Sequence, residues 1–148
     1  MSYTAMKLRA NQKITQYDFD PNVDTLVDVA WVDMKDFTNF LVGFFRTIGT
    51  SATVLKILGN AASDGSGTDV VVATKTLTSA EPNAVGDTTW MEVTAEQVKA
   101  AAVAAGITGV RYVSANISFV TSTDEGVVTY ILGGPRFAYA DLTADVIA

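Results

Sequence analysis

The chain has no cysteine and no histidine among its 148 residues. Without thiols there is no disulfide framework, and without either residue type the usual zinc ligand sets cannot be assembled. Cysteine and histidine nucleophiles are excluded with them, as is the commonest general acid–base side chain. The lack of cysteine fits a reducing compartment. Charge is also scarce. Ten basic residues against sixteen acidic ones leave a net charge of −6. That balance argues against a nucleic-acid binder, which needs a basic surface to neutralise phosphates, and against docking to an anionic membrane. No apolar run approaches the length of a membrane span, and the first residues lack the apolar core of a signal peptide. The expectation is a soluble protein made in a cytoplasm.

What remains is apolar and rich in β-branched residues. Hydrophobic side chains make up 49% of the sequence, and the length suits one domain with a real core. Residues Val110 to Phe137 carry the clearest pattern. Val113, Ala115, Ile117 and Phe119 alternate with Tyr112, Ser114, Asn116 and Ser118, the period of a half-buried strand. The polar stretch Thr121–Gly126 follows, then Val127–Leu132, apolar on both faces, and Gly133-Gly134-Pro135 to stop it. This reads as a β-hairpin with a long loop.

Earlier segments add strands. Leu26–Val32 places Val27, Val29 and Trp31 on one face, and Phe37–Ile48 reads as a buried strand because its phenylalanines and Gly43 suit a helix poorly. Thr53–Leu58, Val70–Leu77 and Thr88–Val93 follow, separated by the loop-forming stretches Gly59–Asp69 and Thr78–Asp87. One helix is expected over about 95–105. Thr94 and Gln97 form a capping box, Glu96 sits in the first turn, and Val98, Ala101, Ala102 and Ala105 keep helical spacing up to a Gly106 cap. The predicted fold is mainly β: an antiparallel, jelly-roll-like β-sandwich over residues 18–148 with one short α-helix, preceded by an extended N-terminal arm over residues 1–17.

Candidate sites are few. Asp18, Asp20 and Asp24 imitate the start of an EF-hand loop, but Val23 stands at the required glycine and Val29 at the bidentate glutamate. An acidic loop is the preferred reading, with a weak cation site as the alternative. Asp64–Asp69 lacks the lysine and following helix of a phosphate loop and reads as a strand connection. No Gly-x-Ser-x-Gly or Ser-x-x-Lys motif occurs, so no enzyme, cofactor or metal is expected. Trp31, Trp90, Tyr112 and Tyr130 suit a sugar-binding face or core anchors, and Phe37–Phe45 reads as core. The arm carries Lys7, Arg9 and Lys13 with no acid, against an acidic body, and is the candidate partner-binding element.

Four stretches together carry a resemblance: Val29-Ala30-Trp31-Val32-Asp33-Met34 before an apolar strand; Gly59-Asn60-Ala61-Ala62-Ser63-Asp64-Gly65 after the next; Val110-Arg111-Tyr112-Val113 behind a small helix; and Leu132-Gly133-Gly134-Pro135-Arg136-Phe137 before a short acidic tail. From about residue 25 onward the chain resembles small structural proteins of tailed-bacteriophage virions. The resemblance implies a β-sandwich that decorates or cements a capsid on the virion surface, with the major capsid protein as partner. The generous apolar content, with aromatics on both sides of the final hairpin, adds the expectation of a closed oligomer such as a trimer. It brings no functional residue set. A neck or tail component and a carbohydrate-binding module are the alternatives.

Overall fold

A computed structural model describes residues 12–19, 26–28, 30–78, 84–120 and 123–135, with backbone alone for 12–19, 26–28 and 135. Nine strands and one helix follow in order: β1 Gln12–Phe19, β2 Leu26–Asp28, β3 Val32–Asp33, β4 Phe37–Ile48, β5 Thr53–Asn60, β6 Val70–Leu77, β7 Thr88–Thr94, α1 Ala95–Ala105, β8 Tyr112–Phe119 and β9 Glu125–Pro135. Sheet I has the order β1-β9-β4-β7, and sheet II the order β2-β8-β5-β6 with β3 also on β8. Every pairing is antiparallel. Counting β2 and β3 as one interrupted strand, the chain winds eight strands into two four-stranded layers, alternating between them except at the β5–β6 hairpin. That is the jelly-roll winding expected from the sequence.

The last two strands depart from expectation. β8 pairs with β5, β2 and β3 in sheet II, while β9 pairs with β1 and β4 in sheet I. They are therefore not a hairpin. The chain arches from one layer to the other between Phe119 and Glu125. Alternation put Val113, Ala115, Ile117 and Phe119 inward correctly, and all four are buried. Periodicity says which face is inward, and says nothing of which strand lies alongside.

The expected strand Leu26–Val32 is likewise two pieces. Asp28 lies opposite Asn116 and Val32 opposite Val113, so four steps on one chain match three on the other. One extra residue shifts the phase, as in a β-bulge. Val32 then shares the row of Val113, and Trp31 falls off the inner face, half-exposed against Gly65. The β2 register ends opposite Asn116 and the β3 register begins opposite Val113, so the ladder is interrupted beside Ala115. There the buried Tyr130 hydroxyl, coming from sheet I, accepts the Ala115 N–H at 2.7 Å. The phenol thus bridges the layers where the ladder is interrupted.

The reading of an arm ending at Tyr17 also changes. β1 runs across that boundary and pairs with β9 from Gln12↔Gly133 to Phe19↔Gly126, so residues 12–17 are an edge strand of sheet I. At the other end, β9 continues through Gly133 and Gly134 to Pro135, past the expected stop.

The core lies between the layers. Phe40, Val42 and Phe44 of β4 and Val128, Tyr130 and Leu132 of β9 meet Leu55 and Ile57 of β5 and the inner row of β8. Phe40 and Tyr130 pack edge to face at 4.8 Å. At one end the core holds an ion pair. Arg46 and Asp124 are 1% and 3% exposed, and Arg46 Nη1 donates to Asp124 Oδ2 at 2.6 Å. The guanidinium lies 5.9 Å from the Phe44 ring centre and 5.6 Å from that of Phe119, and donates through Nη2 to Ser51 O and Thr53 Oγ1. Ser51 donates to Asp124 through its amide at 2.9 Å and its hydroxyl. Gly49, at φ +84°, keeps clear of the Asp124 carboxylate where a Cβ would overlap it. This cluster ties the arch before β9 to β4 and to the start of β5.

Helix α1 forms as the sequence predicts. Thr94 Oγ1 accepts from Gln97 N at 3.2 Å, Gln97 Oε1 accepts from Thr94 N at 2.8 Å, and Gly106 closes the helix in the left-handed region. It packs on β6, β4 and β7. Its buried residues are Val98 and Ala102, whereas Ala105 is exposed.

Candidate interaction surface

The outer face of sheet I carries exposed aromatic and half-buried aliphatic side chains. Residues of odd number from Asn39 to Phe45 on β4 and from Val127 to Ile131 on β9, and of even number on β7, point away from the core. Cross-strand pairing aligns them in rows: Val127, Phe45 and Thr88; Thr129, Gly43 and Trp90; Ile131, Leu41 and Glu92. Phe45 is 41% exposed and Trp90 51%. Leu41, Val127 and Ile131 are half-buried beside them. An antiparallel sheet facing water ordinarily turns polar side chains outward, so five apolar residues on adjacent strands form an exception.

Two local features shape this face. Gly43 has no side chain, and the Trp90 ring lies over it; a Cβ there would overlap the ring. The glycine leaves room for the indole to sit against β4. At one end the surface turns polar, where Asn39 Nδ2 donates to Glu92 Oε1 at 2.7 Å. The β1 edge continues the rows in register, with Ile14 opposite Ile131 and Gln16 opposite Thr129. An apolar centre with a polar rim is the layout of a protein-binding surface.

The sequence-predicted candidates are dispersed. Lys7 and Arg9 lie outside the described residues, as do Asp20, Asp24 and Val29. Lys13 falls in β1 opposite Leu132, and Asp18 opposite Val127. Among the described residues no cluster of three acids is placed to hold a metal ion. The four aromatics do not form one face. Tyr130 is in the core, Trp31 packs on Gly65, Tyr112 lies on sheet II beneath the Arg111 guanidinium at 5.0 Å, and Trp90 stands on sheet I. The Asp64–Asp69 loop satisfies itself. Asp64 accepts the Ser66 amide at 3.0 Å, and those Ser66 hydrogen bonds lower its carboxyl pKa. Asn60 donates to Asp69 at 2.7 Å and accepts from the Ala62 amide at 2.8 Å.

Phe45 is the correction that matters most. The sequence assigned the whole Phe37–Phe45 cluster to the core, yet Phe44 is 1% exposed and Phe45 41%. A strand buried on one face cannot bury two neighbours. The signal was present in the apolar residues on both faces of Val127–Leu132, which suit a strand inside a sheet, and β9 does lie between β1 and β4.

No known family's sequence profile matches the chain, and no curated protein matches it by sequence. Among solved structures it is similar to a chain of the Bacillus endospore appendages, a family of disulfide-linked pili, at 13% identity, covering 83% of this chain and 85% of that one with a TM-score of 0.40. It is similar to PirA at 9% identity, covering 82% and 94% with a TM-score of 0.41. It is also similar to VP2 of the infectious bursal disease virus subviral particle at 12% identity, covering 88% of this chain and 33% of that one with a TM-score of 0.39. Likeness at this level assigns neither a family nor a partner.

Proposed function

We propose that this protein is a structural component of a virion, a decoration or cement subunit that binds across neighbouring major capsid protein subunits through the outer face of sheet I. The observation that carries the proposal is the apolar surface of Leu41, Phe45, Trp90, Val127 and Ile131 on adjacent strands of one sheet. Covering the exposed halves of Phe45 and Trp90 alone removes roughly 200 Å² from water, worth on the order of 5 kcal/mol before the cost of association. The virion setting comes from the sequence resemblance. In this reading the role is mechanical, not catalytic, and the same face or its rim also serves a closed oligomer such as a trimer. Lys7 and Arg9, ahead of β1, and Lys13 near its start add a basic attachment element to the acidic chain.

The test is co-sedimentation of purified protein with capsid shells of the source particle. The Phe45→Ser/Trp90→Ser variant should keep its melting temperature and lose binding. Binding unchanged in that variant would overturn the proposal. Trp90 also favours a second reading, since a half-exposed indole against a sheet is a stacking platform for a sugar ring. Retention on immobilised glycans, abolished by Trp90→Ser, with no binding to shells, selects the carbohydrate module instead.

A further inference from the structure

A cavity of about 360 Å³ lies between the first half of α1, the turn after β3 and the segment leading into β8. Its walls are apolar at Met34, Val98 and Val110 and basic at Lys35, Lys99 and Arg111. The walls are stitched together. Met34 N donates to Arg111 O at 2.9 Å, Arg111 N donates to Asn60 O at 3.1 Å, and Lys35 N donates to Asp33 Oδ1 at 2.8 Å. The Arg111 guanidinium is fixed by Asp33, through Nε at 3.1 Å and through Nη2. Three of the ten basic residues of an acidic chain thus converge on one apolar hollow. Arg111 answers Asp33, and Asp36 is the other acid acting on it. Lys35 and Lys99 are exposed at the rim.

We infer that this cavity binds a small amphipathic carboxylate, with the apolar body on Met34, Val98 and Val110 and the carboxylate between Lys35 and Lys99. The polarity of the walls decides the class. A neutral apolar molecule leaves the ammonium groups unused, and inorganic phosphate leaves the floor bare. The volume suits roughly ten to fifteen non-hydrogen atoms, scaling from a 150 Å³ cavity that holds benzene.

Octanoate and 1-octanol are the probes, titrated into ¹⁵N-labelled full-length protein and followed by amide chemical shifts. Octanoate should move the amides of Met34, Lys35, Val98, Lys99 and Val110 in a saturable way, while 1-octanol binds more weakly at the same place. Lys35→Gln/Lys99→Gln, which alters two exposed side chains and should melt like the parent, should weaken octanoate roughly fivefold and leave 1-octanol unchanged. Equal affinity for octanoate and 1-octanol, shifts centred elsewhere, or an unaltered octanoate affinity in the double variant would each overturn the inference.

Discussion

Removing the Asp124 carboxylate should be among the most damaging single changes to this fold. In Asp124→Ala the Arg46 guanidinium, 1% exposed between Phe44 and Phe119, loses its counter-ion, and Ser51 loses the acceptor of its amide and hydroxyl. Breaking a buried pair in this way costs about 3–5 kcal/mol, because a charge is left in a low-dielectric site. Domains of this size have total stabilities of about 5–15 kcal/mol, so the loss is a large share. At about 2–4 °C per kcal/mol the melting temperature should fall by roughly 6–20 °C. Urea unfolding should show a lower midpoint with an unchanged slope. Arg46→Met/Asp124→Leu removes both charges together and should recover most of the loss, since a buried pair contributes little over an apolar replacement. Acid provides an independent check. Burial raises the Asp124 carboxyl, but hydrogen bonds from Ser51 and Arg46 outweigh it, and the pKa lies below its ordinary value. A depressed carboxyl contributes stability that is complete above its unfolded pKa of about 3.9 and is lost as pH falls through the folded value. The gap between parent and Asp124→Asn should therefore be constant above about pH 5 and close in stronger acid. A cost below about 1 kcal/mol for Asp124→Ala, or a double variant as unstable as the two singles added, would refute the reasoning.

Tyr130→Phe strands the Ala115 N–H at the gap between β2 and β3, and should cost about 1–3 kcal/mol in chemical unfolding. Thr94→Ala removes the helix N-cap acceptor and should cost about 1 kcal/mol by the same measurement. Deleting residues 1–17 removes six of the eight residues of β1 and exposes the outer edge of β9, so thermal unfolding should shift down clearly. Deleting residues 1–11 leaves β1 whole and should leave the melting temperature unchanged while weakening co-sedimentation with shells.

Local chemistry wrote much of this fold into the sequence. Period-two alternation placed Val113, Ala115, Ile117 and Phe119 inward, the Phe37–Ile48 strand was readable from its phenylalanines, and Thr94, Gln97 and Gly106 set both ends of the helix. These are effects of neighbours one to four residues apart, which any chain shows before it folds. The tertiary structure decided the rest. Whether β8 and β9 pair or part into opposite sheets depends on which strands they meet from elsewhere in the chain. The β2–β3 interruption and its Tyr130 bridge depend on a one-residue mismatch between segments some ninety positions apart. Nothing in the sequence joins Arg46 to Asp124, and only the β8–β9 arch brings them together over 78 residues. The outer face of sheet I has the same origin. Phe45 reads as core in sequence and Trp90 as a core anchor or sugar-face residue, and only β7–β4–β9 pairing sets them side by side with Val127 on an exposed face.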